Sequence, residues 1–296
     1  IHVARALHIF HKTINSLIYL TYRNPIVVSA WVIVRYGRVV HRNWGDDINV
    51  YLLERMTGRR VVIKNQSAFH NRFCRGPIYS CIGSIIGWYE TPQTIVWGSG
   101  IIAENVTIDI LPKRVNAVRG ELTRRRLIEQ GIRCPAIYGD PALLISKYYK
   151  ATPLKRRFKL GIIPHYIDID NPVLAQFLNT HKEDVLLIDL VHYDKWTDIP
   201  DQIVSCDCIL SSSLHGLIVS DSYNIPNVWI GLSNELTGGD FKFHDYFSSV
   251  QRSETKKLIA SLGDLEDLLQ TQDKKNNAIV DFESILASAP WTLKQI

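Results

Sequence analysis

From residue 26 onward, short runs of Val, Ile and Leu alternate with segments of helical period. A chain patterned this way folds as strand–helix–strand units, which lay parallel strands side by side under a cover of helices. Apolar runs at residues 26–34, 61–64, 80–86, 94–97, 115–119 and 136–138 predict strands. Residues 45–56 read as a loop entering a helix, and 122–130 as a basic helix closed by Gly131. Residues 147–157 are polar, basic and interrupted by Pro153, which suits a linker. The rhythm then restarts, with strands at 158–163, 185–190, 208–211 and 227–230, helices at 172–180 and 214–223, and a charged, largely helical tail at 253–287. The expected fold class is therefore α/β, in two domains with parallel sheets, residues 1–150 and 151–296. Ligands of such folds bind at the carboxyl ends of the strands, in a cleft where loops and helix N-termini converge.

The formal charge is +5, which fits an enzyme of anionic substrates or contact with an anionic membrane surface, and is too weak to argue for nucleic acid. The 5 cysteines are odd in number and include no C-x-x-C pair, so neither a disulfide framework nor a metal site is expected and a cytoplasmic location is the simplest. Cys206 and Cys208 read as small hydrophobes on a buried strand. No run is long and apolar enough for a bilayer span. Residues 1–20 carry Val3, Leu7, Phe10, Ile14, Leu17 and Ile18 at helical spacing. Such a helix either lies on a membrane or packs on the protein, and packing of Leu7, Phe10, Ile14 and Leu17 in the core is the expectation.

The sharpest constellation is residues 209–217, ILSSSLHGL: an apolar strand, three serines, then a helix with His215 in its first turn. Ser212 or Ser213 is placed to cap that helix, whose free N–H groups and dipole suit a phosphate or carboxylate. His215 there is either a proton-transfer group meeting an anion or a structural histidine in a tight turn. Arg119 ends a strand of the first half, and its fork matches a carboxylate or phosphate. The Asn43, Asp46 and Asp47 cluster opens a helix, and it serves either sugar hydroxyls or capping. Trp97-Gly98-Ser99-Gly100 resembles a glycine turn that lets backbone approach a ligand. His165 follows the first strand of the second half, and Lys242 sits among aromatics in a loop. No G-x-x-x-x-G-K-S/T, G-x-G-x-x-G, H-E-x-x-H or G-x-S-x-G occurs.

In order along the chain, N-W-G-D-D at 43–47, V-R-G-E-L-T-R-R-R-L-I-E-Q-G-I at 118–132, G-D-P-A-L-L at 139–144, G-I-I-P-H-Y at 161–166 and S-S-L-H-G at 212–216 resemble the motifs of the polysaccharide pyruvyl transferases. The resemblance implies a GT-B-like fold of two Rossmann-like domains, with the acceptor and Arg119 on the first side and phosphoenolpyruvate on the second. It implies transfer of a pyruvyl group to a sugar of a polysaccharide or lipid-linked glycan, without metal or other cofactor, at the inner face of the cell membrane. It places Arg119, His215 and Lys242 in the catalytic set. Ser212, Ser213, Leu214, Gly216, His165, Asn43, Asp46, Asp47 and Ser99 follow as substrate-binding positions. On that reading Arg119→Ala abolishes donor binding and leaves the fold intact. Gly120 departs from the family pattern, which usually has Asp there. A glycosyltransferase of the same architecture, using a nucleotide sugar, is the competing expectation.

Overall fold

The computed structural model describes residues 2–233, 239–271 and 276–295, with the side chains of 2–4 left aside. Its strands are β1 (Ile26–Val28), β2 (Ile33–Arg35), β3 (Arg38–Val40), β4 (Val61–Ile63), β5 (Ile78–Ser80), β6 (Thr94–Trp97), β7 (Arg114–Ala117), β8 (Phe158–Ile163), β9 (Val185–Leu187), β10 (Cys206–Ser211), β11 (Asn227–Gly231) and β12 (Lys257–Leu258). The α-helices are α1 (His2–Tyr19), α2 (Trp44–Thr57), α3 (Ala68–Phe73), α4 (Glu121–Glu129), α5 (Ile145–Tyr148), α6 (Pro172–Thr180), α7 (Asp198–Ile203), α8 (Leu214–Ser222), α9 (Phe241–Ser249), α10 (Leu262–Gln270) and α11 (Phe282–Ala287).

Two five-stranded sheets result, in the orders β4-β1-β5-β6-β7 and β12-β11-β10-β8-β9. Every pairing in both is parallel. Parallel strands covered on both faces must be apolar on both, as the fully buried β6 is. An apolar core runs across the two halves of the sequence, from Ile26, Trp44 and Leu52 to Ile163, Ile209 and Phe243. Polar bonds tie the halves too: Trp44 donates its backbone N–H to Leu190 O at 2.8 Å and its indole N–H to Trp196 O at 2.8 Å. The chain end returns to the first sheet, where Asn116 Nδ2 donates to Ser288 O at 2.7 Å and Trp97 Nε1 to Ser288 Oγ at 3.1 Å.

Several sequence expectations are corrected. The apolar run 26–34 is not one strand: the chain leaves the sheet after β1, and β2 pairs antiparallel with β3 instead. Positive φ at Tyr36 and Gly37 makes the two-residue turn that permits this hairpin. The strand expected at 80–86 ends at Ser80, because Gly83 at φ +105 turns the chain into a loop. Residues 136–138 provide only a bridge, Val118 to Tyr138. Lys242 lies in the first turn of α9 and not in a loop. The tail holds β12 besides its two helices.

The largest correction is α1. Leu7, Phe10 and Leu17 are 51%, 50% and 59% exposed, so the helix does not bury its apolar stripe. It docks through Tyr19, which is buried in the core, through half-buried Ile14 and Ile18, and through polar residues. Asn15 Nδ2 donates to Val34 O and Gln66 O, Asn15 Oδ1 accepts from Gly37 N, and Ser16 Oγ accepts from Phe69 N. These bonds satisfy hairpin and loop groups that would otherwise be stranded, and they fix which face turns inward. Among the described residues no helix is long and apolar enough to cross a membrane.

Candidate active site

Parallel topology sends the loops after β5, β6, β7, β8 and β10 to the carboxyl edges of their sheets, and Ser99, Arg119, His165 and His215 stand just after β6, β7, β8 and β10, while Asn43, Asp46 and Asp47 come from the start of α2 and Lys242 from α9. His215 lies in the first turn of α8, directly after β10 and residues 211–213. Ser213 occupies the N-cap position but makes no side-chain cap bond, contrary to expectation. Ser211 is the brace: its Oγ accepts from Ser213 N at 3.0 Å and donates to Ser213 O at 2.8 Å. The first amides of α8 are thus left without a side-chain cap, where the helix dipole favours an anion.

His215 is buried, and its Nε2 has no hydrogen-bond partner. Its ring lies against the start of α2: a Cβ on Gly45 would sit 2.1 Å from His215 Nδ1. This contact explains the glycine in the 43–47 motif and joins that motif to the histidine. Burial, then the positive charges of Arg119 and Lys242, push the imidazole down to about 3. It is neutral at physiological pH, with a free ring nitrogen.

Lys242 reaches the same cluster from α9. Burial and the Arg119 charge lower its ammonium to about 8, with Asp46 opposing. It has no ion-pair carboxylate among the described residues. Its charge acts on His165, which burial and then Lys242 bring down to about 4. Asp46 is raised to about 7 by burial and by Asp47, against the Asn43 hydrogen bond and Lys242. Asp140, in the quoted 139–144 motif, is raised to about 6 by burial; one carboxyl oxygen accepts from Ala142 N and the other has no partner.

Arg119 is fully buried and committed. Its Nε donates to Asp245 Oδ2 at 2.8 Å, one Nη to Ile101 O at 2.7 Å and the other to Ser84 Oγ. Gly100 packs on the guanidinium, where a Cβ would lie 2.4 Å from Cζ. So the glycine turn at 97–100 admits an internal arginine. Asp245 holds more than Arg119: it accepts from Thr123 N and Thr123 Oγ1, each at 2.7 Å, closing the N-terminus of α4. Gly120 explains itself in the same place. A Cβ there would be 1.7 Å from the Asp245 carbonyl oxygen. Backbone cannot swing aside, so Gly120→Ala is expected to cost about 1–3 kcal/mol, the usual range for overpacking. An unchanged urea midpoint would contradict this packing.

The remaining sequence candidates are placed as follows. Ser99 Oγ donates to Gly83 O at 2.8 Å and is buried. Asn43 caps α2, accepting from Gly45 N, and also donates to Asp46 Oδ2. Asp47 accepts from Tyr193 OH and Arg42 N and is buried. Ser212 Oγ accepts from His165 N at 2.8 Å, fixing one strand end to the next. Leu214 belongs to the core, and Gly216 lets α8 lie on β10, since a Cβ would be 2.3 Å from Ser211 Oγ. Sequence reasoning missed Ser84, Asp140, Ser211 and Asp245. Asp140 and Ser211 stood in quoted motifs without being given a role; Asp245 is 126 residues from Arg119, and no local pattern links them.

The polysaccharide pyruvyl transferase family model matches residues 85–234, half of the chain. That span contains Ser99, Arg119, His165 and residues 212–216. The chain is 27% identical over 252 residues to the uncharacterised protein L143 of Acanthamoeba polyphaga mimivirus, covering 82% of this chain and 83% of that one. It is 23% identical over 217 residues to the succinoglycan biosynthesis protein ExoV of Rhizobium meliloti (strain 1021), covering 71% of this chain and 62% of that one.

Proposed function

The chain belongs to the polysaccharide pyruvyl transferases, and from that premise we propose that it transfers the pyruvyl group of phosphoenolpyruvate to a sugar of a glycan or lipid-linked oligosaccharide, forming a ketal and releasing phosphate. The two sheets then act as the Rossmann-like halves of a GT-B-like arrangement, residues 1–150 on the acceptor side and 151–296 on the donor side. The observation that carries the reading is His215: a neutral imidazole with an unpartnered Nε2, at an uncapped helix N-terminus and within the field of Lys242.

In this scheme the donor's anionic groups lie against the α8 amides and Lys242, through charge-assisted bonds. Arg119 contributes a fixed charge from beneath. An acceptor hydroxyl bonds to C2 of the donor as C3 takes a proton, turning the double bond into a methyl group. The C2–O bond to phosphate then breaks. The second hydroxyl closes the ketal, and its proton leaves with phosphate. His215 shuttles these protons, and its imidazolium is favoured once an anion is bound beside it. Asp46, titrating near neutrality, stands ready to bond an acceptor hydroxyl.

Lys242 sets a pH test. Its charge is present below about pH 8 and is lost above it, so phosphoenolpyruvate affinity should fall as pH rises through that value. Calorimetry should show the fall in the wild type and its absence in Lys242→Met. Constant wild-type affinity across the same range would remove Lys242 from the donor site.

The location is proposed as cytoplasmic, with peripheral contact to an anionic membrane through α1. α1 exposes Leu7, Phe10 and Leu17 along with Arg5, and α3, which packs on α1, exposes Phe69, Arg72 and Phe73. Each cation near such a surface adds about 1 kcal/mol, and the apolar face adds more on insertion. Leu7→Asp with Phe10→Asp should leave folding intact and abolish sedimentation with phosphatidylserine liposomes. Equal sedimentation of the variant would rule out α1 as the contact.

A further inference from the structure

Five of the seven tryptophans are buried or largely covered, but Trp31 and Trp88 are 50% and 51% exposed. They are not scattered. Trp31 follows β1 and Trp88 follows β5, and these strands are paired neighbours, so their loops leave the same carboxyl edge side by side. The Trp31 ring meets Trp88 edge-on, with centroids 5.6 Å apart, and meets Tyr89 the same way at 5.5 Å. Two exposed indoles braced on a half-buried Tyr89 are an unusual surface to leave uncovered.

The loop carrying Trp88 and Tyr89 is held in place. Ile86 N donates to Gly100 O, Trp88 N to Ile85 O, and Gly87 N to the buried Glu90 carboxylate at 2.8 Å. Gly87 adopts φ +95, and a Cβ there would run into Val106 at 2.5 Å. At its other end the same loop enters the site: Ser84 bonds Arg119, and a Cβ on Gly83 would be 3.3 Å from Asp46 Oδ1. Asp46 also helps to raise the Tyr89 phenol, after burial. The aromatic cluster is therefore continuous with the titrating centre.

We propose that Trp31, Trp88 and Tyr89 form a stacking platform for a hexopyranose ring of the acceptor, which turns the hydroxyls of that ring toward Asp46. The proposal rests on the pyruvyl-transfer reading for the identity of the reaction, but not for the sugar site itself. The physical basis is complementarity. The face of an aromatic ring is negative, and the C–H groups on one face of a pyranose are weakly positive and apolar. Stacking covers that face and leaves the hydroxyl rim free for polar groups. A platform of this kind recognises the ring, and the groups at its edge decide which hydroxyls react.

The test is acrylamide quenching of tryptophan fluorescence in the full chain, with and without the methyl glycosides of glucose, galactose and mannose. Quenching reports most strongly on Trp31 and Trp88, because Trp44, Trp97 and Trp229 are fully buried and Trp196 and Trp291 are only partly exposed. At least one glycoside should protect in the millimolar range. Because Trp31→Ala with Trp88→Ala removes the fluorescent reporters, that variant is read by calorimetry: binding of the protecting glycoside should vanish in it and persist in part in Trp31→Tyr, which keeps a stacking face and checks that the surface remains folded. Protection by none of the glycosides, calorimetric glycoside binding that survives the double alanine change, or protection by anionic liposomes in place of sugars would each overturn the platform. Phosphoenolpyruvate is titrated into the same samples. Sugar protection without donor binding would count against the pyruvyl-transfer reading alone, and donor binding without sugar protection against the platform alone.

Discussion

Replacing Arg119 by Ala should remove much of the protein's stability margin, and donor binding should be lost through the disturbed site and not through a missing contact, since every guanidinium nitrogen is already engaged within the protein. The reason is the company Arg119 keeps: both it and Asp245 are fully buried, 2.8 Å apart, and the change leaves the carboxylate without its cation. Breaking a buried ion pair from one side costs about 3–5 kcal/mol, against a total stability of about 5–15 kcal/mol for ordinary domains. This replaces the expectation of an intact fold, which assumed a guanidinium standing open to ligand. Urea denaturation measures the loss. A double change, Arg119→Ala with Asp245→Ala, should recover part of it, since no charge is then stranded. If Arg119→Ala leaves the urea midpoint where it was, the ion pair is not holding α9 against α4.

His215→Gln should separate chemistry from binding. Glutamine keeps polar atoms in the buried place against Gly45 but cannot take and return a proton. Turnover should drop by about 100-fold or more, within the usual range for losing a general acid–base group, while phosphoenolpyruvate still binds through Lys242 and the α8 amides. Stopped assays of phosphate release give the first quantity and calorimetry the second. Equal losses in both would make His215 an anion ligand.

How much of this was readable in advance depends on the range of the interaction. The helix Pro172–Thr180 was predicted to its ends, because Pro172 opens it and the run of periodic apolar residues stops at Thr180; in the structure Asn171 caps it. Strands Thr94–Trp97 and Phe158–Ile163 were equally legible as short apolar runs. The α1 stripe was legible as a stripe, but periodicity says nothing of which side the protein covers, and that was decided by Asn15 and Ser16 bonding to residues 34, 37 and 69. The 43–47 motif suggested either capping or sugar binding; Asn43 does cap α2, and Gly45 receives the His215 ring. The role of Gly120 depends on Asp245, more than a hundred residues away; 122 residues separate Asp245 from Thr123, the neighbour it bonds. Packing of that range leaves no trace in local spacing.

Phosphoenolpyruvate is proposed as the donor, bound beside His215 and Lys242. One calorimetric series tests it most directly: phosphoenolpyruvate, a uridine diphosphate sugar and a guanosine diphosphate sugar, each titrated into the wild type and into Lys242→Met. The expected result is binding of phosphoenolpyruvate alone, severely weakened in Lys242→Met. Binding of a nucleotide sugar with none of phosphoenolpyruvate would contradict it, and would make this chain a glycosyltransferase.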